Sequence, residues 1–501
     1  MSFYFWVDFT ILLITLTAAL YFYSTRKFNH WKKKKVPFIP PVPLFGSAFD
    51  VFTLRQNIGD FTRKIYESTV QPYVGFFICD EPYLLVRDPE LVKNILVKDF
   101  DVFSNRSVFE NKKDDPMGAH ILFLLKTPDW RNMRRKLSPA FSSGKMKNMY
   151  PLMGVSGKEM VEYLVEQSKS NPVIDSREVA AKYTTDVISS TSFGINANSF
   201  KYEDSEFRAV SRRVFNWAIW ERAISTSFHF VAPSLVKLFK MRFVDKASSD
   251  FLREVFWRMM NERQEKKFVR NDLLDILIEL KKQENIDDPY KLEGDKLVAQ
   301  ATQFFIAGFE TSSSTISFTL YELAVNKDFQ NKAREEIKEV IKKHGDISYD
   351  SLKDMQYVDW CIKETLRKYP VLPFLDRRSS ADYQIPGTDV VLEKGSPIFV
   401  SVMGMHYDPK YFPDPDKYDP TRHSEENVKT RPSFTYLPFG EGPRNCIGAR
   451  FGAVSSKSGV AHILNNFEVE LCEETQHPLK IDPRGFLVAP ISGLLLKFNR
   501  M

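Results

Sequence analysis

Residues 439–448, Phe-Gly-Glu-Gly-Pro-Arg-Asn-Cys-Ile-Gly, set a single cysteine, Cys446, among glycines and two residues after an arginine. A cysteine thiolate is a metal ligand. Glycines around it let the backbone take positive φ and approach a flat cofactor closely. Backbone N–H groups of such a loop can hydrogen-bond the sulfur and tune the metal it holds. Arg444 stands where it can give a carboxylate of that cofactor a charge-assisted bond. The plainer alternative is a small buried hydrophobe, the commoner fate of a lone cysteine. The other cysteines, Cys79, Cys361 and Cys472, show no paired spacing with it. Four in a 501-residue chain make neither a disulfide framework nor a zinc site.

Three other groupings offer chemistry. In Ile306-Ala307-Gly308-Phe309-Glu310-Thr311-Ser312, Ala307 and Thr311 are four apart and share one face of a helix. The glycine costs up to about 1 kcal/mol against alanine, tolerable if a distorted turn makes room for a small molecule. Taken alone, the stretch reads as an ordinary buried helix with a polar tail. Trp130 and Arg134 supply an indole N–H and a guanidinium, both donors suited to carboxylates. Thr127-Pro128-Asp129 before them makes a helix start. Glu364 and Arg367 are neighbours on a helix that ends before Pro370. By themselves they favour a surface ion pair worth tenths of a kcal/mol.

These groups are spread over most of the chain, so one large domain must bring them together. A composition of 43% hydrophobic residues is ample for its core. The net charge of +6 rests on many charges of both signs, with no basic domain or aromatic–basic motif, and no nucleic-acid partner is expected. Apolar residues at three and four spacing predict helices over Lys158–Gln167, Phe251–Lys267 and Leu273–Lys282. Tyr83–Val86, Asp389–Leu392, Ile398–Val402 and Phe467–Leu471 read as strands. The class is mainly α with a smaller β portion, without internal repeats.

Ahead of this domain, Phe3 to Tyr23 is apolar apart from Asp8 and a few threonines. That matches the roughly 20 residues a helix needs to cross a bilayer. Arg26, Lys27 and Lys32 to Lys35 follow, and no Lys or Arg precedes the run, which puts the downstream domain in the cytosol. A cleaved signal peptide would want the reverse charge order and a small-residue cleavage site, where this chain has Tyr21-Phe22-Tyr23. The prolines between Val36 and Gly46 predict a stiff, extended spacer. The expected division is an anchor over 1–25, a basic and proline-rich linker over 26–46 and a catalytic domain over 47–501.

The cysteine loop fills every fixed position of F-x-x-G-x-R-x-C-x-G, and with the other groups it resembles the cytochrome P450 family, microsomal type. Phe103-Ser104-Asn105-Arg106, Asp186-Val187-Ile188, Phe193-Gly194-Ile195, Asn271 to Asp275 and the heavy phenylalanine content look most like its insect xenobiotic-metabolising branch. The resemblance runs from the anchor to near the C-terminus. It implies the P450 fold, a single large haem-binding domain behind a transmembrane helix. It also implies haem b, with Cys446 as the thiolate ligand of the iron and Phe439 and Ala307 against the cofactor. Arg444, Trp130 and Arg134 would hold the propionates, joined by Arg106 and Arg377 at positions where related enzymes often hold them. Thr311 and Glu310 match the alcohol–acid pair of oxygen activation. Glu364, Arg367 and Arg422 match a buried structural network. The family often has Glu and Phe where this chain has Thr421 and His423.

Candidates to line the substrate pocket are Phe123, Ile306, Ala307, Val371, Leu372, Leu375 and Ile491. Phe215, Trp217 and Trp220 would cap the pocket, anchor to the membrane or simply pack. The implied activity is a monooxygenase taking electrons from NADPH through cytochrome P450 reductase, with cytochrome b5 as a further donor, on small apolar substrates at the endoplasmic reticulum membrane. Arg131, Arg135, Lys136, Lys145, Lys147 and Arg450 would make the cofactor's proximal face basic and steer an acidic reductase. Alternatives are a haem-thiolate isomerase or dehydratase, or a monooxygenase of an endogenous lipid, steroid or hormone. The Glu310–Thr311 pair argues against the isomerase.

Overall fold

The computed structural model describes residues 2–202, 205–214, 220–285 and 287–501 of the chain. Phe215 and Trp217, with the side chain of Trp220, lie outside the described residues.

Helix α1, Ser2–Thr25, projects its apolar side chains away from the rest of the protein; none of its apolar window is covered. Its threonines return their hydroxyls to the helix, Thr10 to the Trp6 carbonyl at 2.7 Å and Thr17 to the Leu13 carbonyl at 2.7 Å. A helix that satisfies every backbone group internally and hides its few hydroxyls is suited to lipid.

The segment expected to be a linker is instead part of the folded domain. Trp31 is 1% exposed and lies on Gly75, where an added Cβ would stand 2.5 Å from the indole Cγ. Its Nε1–H donates to the Phe76 carbonyl at 3.2 Å. Arg26 Nε reaches Asp80 at 3.0 Å, and Lys34 reaches Glu393 at 2.6 Å. Ile39 N–H donates to the Gly75 carbonyl and Gly75 N–H to the Pro37 carbonyl, which adds the proline segment to a sheet edge. The prolines do make this stretch extended, but a buried tryptophan and ion pairs fix it to the domain.

That sheet has four strands in the order β1 (Tyr73–Ile78), β2 (Glu81–Val86), β7 (Pro397–Ser401) and β4 (Phe374–Arg378). β2 and β7 are parallel; the other pairs are antiparallel, with Leu375 opposite Val400 and Arg377 opposite Ile398. A second sheet orders β3 (Val173–Asp175), β9 (Leu495–Arg500) and β8 (Phe467–Glu470), and β5 (Tyr383–Gln384) pairs with β6 (Val391–Leu392). The helices that position the site are α2 (Asp129–Leu137), α3 (Ser143–Ser170), α4 (Ser176–Phe193), α5 (Gly294–Val325), α6 (Gln356–Lys368) and α7 (Ala449–Asn466).

Helix α5 runs through the domain and is buried on nearly every side, with α4 packed along it. Burial all round explains its lack of an amphipathic stripe. Several of its hydroxyls are paired within the helix: Thr315 donates to the Thr311 carbonyl and Thr319 to the Thr315 carbonyl, each at 2.7 Å. The chain is helical without interruption from Gly294 to Val325, so the distorted turn expected at Gly308 is absent. The glycine has a packing reason instead: a Cβ there would stand 2.4 Å from Cδ1 of Ile188 on α4.

Candidate functional site

The cysteine loop precedes α7 and is shaped by its own backbone. Cys446 N–H donates to the Phe439 carbonyl at 2.8 Å, Gly440 N–H to the Leu437 carbonyl at 3.0 Å, and Asn445 N–H to the Gly442 carbonyl at 3.0 Å. Gly440 and Gly442 have φ of +68° and +77°, and a Cβ on Gly442 would stand 2.0 Å from the Leu96 carbonyl oxygen. Gly448 differs. Its φ is −90°, and a Cβ there would meet no protein atom within 4 Å. Its glycine leaves a cradle at the cysteine that a flat group can occupy.

Cys446 keeps exposed surface although protein surrounds it. Burial raises its thiol above the usual cysteine value, while the Gly448 N–H and then Arg134 pull the other way. Arg134, from α2, holds the loop: Nη1 donates to the Asn445 carbonyl at 2.8 Å and Nη2 to its Oδ1 at 2.7 Å. Arg134, expected at a propionate, clamps the residue beside Cys446.

Next to the loop, three arginines share one buried region. Arg444 donates to the carbonyls of Ser104 and Leu125, and its guanidinium lies 4.2 Å over the Trp130 ring. Arg106 reaches Asp376 at 2.6 Å, and Arg377 donates Nη1 to the Asp376 carbonyl at 2.7 Å. Burial and the neighbouring Arg106 lower Arg377 to about 9; burial, Arg106 and Arg377 lower Arg444 to about 8. Nε of Arg106 and of Arg377 is buried without a hydrogen-bond partner. Among the described residues, Asp376 is the one carboxylate hydrogen-bonded to this trio. Buried guanidinium groups in excess over carboxylates form an anion site that is incomplete without a ligand. A flat group carrying two carboxylates, as haem b does, fits both the trio and the Gly448 cradle.

Helix α5 is open near its middle. Ala307 is exposed and Gly308 and Thr311 are half-buried between buried neighbours. The Thr311 hydroxyl donates to the Ala307 carbonyl at 2.6 Å, which places both on that face. Glu310 faces elsewhere. It is 4% exposed and pairs with Nη2 of Arg177, on α4, at 2.9 Å. The carboxylate expected beside Thr311 is therefore held by an arginine one face round the helix.

Glu364 and Arg367 are fully buried, so the surface reading does not apply. The pair is bidentate, with Nε to Oε2 and Nη2 to Oε1 both 2.9 Å. Arg422 Nε lies 3.4 Å from Glu364 Oε1, and His423 Nε2 3.1 Å from Oε2. His423, where the family often has Phe, is a fourth member of the network.

Of the lining candidates, Ile306, Val371 and Leu375 are buried and Phe123 and Leu372 half-buried. Phe123 lies 4.0 Å under the Arg106 guanidinium and touches Phe230 at 5.9 Å between ring centroids. Phe230 stacks on Phe486 at 4.0 Å. Ile491 is 43% exposed and pairs its backbone with Lys480, apart from these rings. Phe486, five residues earlier, is the residue of this segment that packs on Phe230. Nothing in single-sequence periodicity marks Phe230, Phe486 or Asp376; they enter through contacts between remote segments.

Comparison with known proteins agrees with this geometry. The chain matches the family model described as Cytochrome P450 over residues 36–498. Cytochrome P450 6k1 of Blattella germanica is 41% identical, covering 98% of this chain and 97% of the relative. Cytochrome P450 6j1 of the same organism is 42% identical over 97% of each. Cytochrome P450 6a2 of Drosophila melanogaster is 38% identical over 98% of this chain and 99% of the relative. With a cysteine loop, a buried arginine trio and near full-length kinship to insect enzymes, the chain belongs to the cytochrome P450 family and is a haem-b-binding monooxygenase.

Proposed function

We propose that this monooxygenase inserts one atom of dioxygen into small apolar xenobiotics such as plant toxins and insecticides, drawing electrons from NADPH through cytochrome P450 reductase. The observations that carry this reading are the exposure of Ala307 and Cys446, with Thr311 half-buried, and the buried arginine trio next to the cysteine loop. Haem b bound through Cys446 supplies the activation of dioxygen. Arg106, Arg377 and Arg444, with Trp130, hold the propionates, and Arg134 keeps the loop in place. The Thr311 hydroxyl donates to Ala307 and keeps lone pairs to accept from water, so it can relay a proton. Glu310, paired with Arg177 on another face of the helix, would have to leave that pair to supply the acid, so the proton path is assigned first to Thr311. Turnover of a terpenoid, furanocoumarin, fatty-acid, steroid and insecticide panel with reductase tests the substrate class. Activity confined to one steroid or fatty acid would point to an endogenous role.

Thr311→Ala is expected to keep haem and substrate binding but to lose coupling. NADPH would still be consumed while hydrogen peroxide rises and product falls. Ser312 is 3% exposed and about 100° away around the helix, so it does not substitute. NADPH, peroxide and product are measured in one reaction; unchanged coupling would remove Thr311 from the proton path.

The bare apolar surface of α1 and the cations after it support single-pass anchoring in the endoplasmic reticulum, with the domain in the cytosol. Removing residues 1–24 leaves the Trp31 collar intact and is expected to release most of the protein from membranes. Pelleting as complete as that of the intact chain would overturn the anchor.

For electron delivery, Lys136 is not a free docking charge: it is held by Glu284 at 3.4 Å and Asp288 at 3.2 Å. Arg135 and Arg450 are exposed beside the Cys446 loop and are offered to the reductase, and to cytochrome b5. Charge reversal at both is expected to slow reductase-supported turnover, most at low salt, while sparing peroxide-supported turnover. Equal losses in the two assays would assign these residues to folding instead.

A further inference from the structure

His406 closes a short helix, Val402–His406, between the Glu364 network and the start of the cysteine loop, and it has no solvent exposure. Both of its ring nitrogens are engaged. Leu437 N–H donates to Nε2 at 2.9 Å, so Nε2 carries no proton. The ring proton therefore sits on Nδ1, which donates to the Arg367 carbonyl at 3.2 Å. Arg367 answers with its side chain, Nη1 donating to the His406 carbonyl at 3.0 Å. The imidazole is also stacked on Tyr436, with centroids 5.2 Å apart and planes at 21°. Between network and stack, the ring has one orientation.

Leu437 is where the cysteine loop begins. Its N–H is fixed by His406, its carbonyl accepts from Gly440, and Phe439 then accepts from Cys446. Hydrogen bonds joined by a short main-chain link thus run from the Glu364–Arg367 pair through His406 to the backbone of Cys446. We infer that His406 is a positioning residue: its Nε2 lone pair registers the Cys446 loop on the buried Glu364–Arg367 network. The inference rests on Cys446 being the iron's ligand. Burial and then the Arg367 guanidinium push the imidazole down to about 3, so it remains a neutral acceptor at any working pH. A buried N–H at Leu437 without an acceptor would be penalised, and the loop would shift to find water.

Three variants separate acceptor from shape. His406→Gln keeps an acceptor within reach of Leu437; His406→Asn keeps a donor toward Arg367 but no acceptor for Leu437; His406→Phe keeps only the ring. The full-length holoenzyme is reduced under carbon monoxide, and decay of the thiolate-type band is timed. Asn and Phe are expected to decay about tenfold faster than wild type, the effect of one buried hydrogen bond lost, with Gln close to wild type. Equal losses in all three variants, or none in any, would overturn the proposal. Amide exchange at Leu437 gives a second reading independent of the iron. It should be slow in wild type and in Cys446→Ser, and fast in His406→Phe; fast exchange in wild type would also overturn the proposal. Absence of the thiolate band in wild type, with Leu437 still protected, would instead count against Cys446 as the ligand.

Discussion

Cys446→Ala is expected to give a folded protein that turns over no substrate. The loop does not depend on the sulfur for its shape. Cys446 N–H to the Phe439 carbonyl is a main-chain bond, and the positive-φ turns at Gly440 and Gly442 lie upstream. Cys446 is exposed rather than packed in the core, so removing its sulfur leaves little cavity penalty. What is lost is the thiolate, whose electron donation favours O–O cleavage. The arginine trio still offers a site for two carboxylates, so part of the haem is expected to remain bound. Haem per protein and product formed with reductase are the measurements. Turnover comparable to wild type in a haem-loaded Cys446→Ala protein would assign the iron to another ligand.

Arg367→Ala is expected to prevent recovery of stable haem-loaded protein. The guanidinium gives Glu364 two bonds of 2.9 Å and also satisfies the carbonyls of His406 and Lys417. Without it, Glu364 keeps the Asp419 N–H at 3.0 Å, Arg422 at 3.4 Å and His423 at 3.1 Å, a weaker set around a buried charge. Breaking a buried pair by removing one partner costs about 3–5 kcal/mol. That is a large share of the roughly 5–15 kcal/mol by which domains are stable. Burial alone would raise the Glu364 carboxyl, but His423 and Arg367 outweigh it and the net shift is downward. Its stabilising contribution is therefore present at neutral pH and lost as the pH falls through the folded value. Haem-loaded yield and melting temperature test this; a mutant equal to wild type in both would reduce the network to an incidental contact.

Local chemistry was legible in the sequence and three-dimensional closure was not. The helix over Leu273–Lys282 has the bounds its apolar spacing predicts, because an Asp272 cap precedes an amphipathic run. Lys158–Gln167 is only the last part of α3, which begins at Ser143 and continues through Pro151; proline and the glycines at 144 and 154 hide the earlier turns. The segment 26–46 reads as a linker because prolines and lysines dominate it. Trp31 buries only because Gly75, far along the chain, lacks a Cβ. At the site, the motif residues Cys446, Arg444, Glu364 and Thr311 carry their chemistry in their spacing. Asp376, His406, His423 and the Phe230–Phe486 stack carry none locally. Likewise, the availability of Lys136 and Lys147 to a reductase could not be read from charge, since each is already paired within the domain.

The most direct test of the account is the carbon monoxide difference spectrum of the reduced, full-length protein. Its central claim is that Cys446, shaped by the Gly440–Gly442 loop and held by Arg134 through Asn445, ligates haem iron as a thiolate. The account predicts the thiolate-type band in the intact protein and its absence in Cys446→Ala under the same conditions. A haem-loaded intact protein showing only the band of a neutral ligand, or a mutant that keeps the thiolate band, would contradict it.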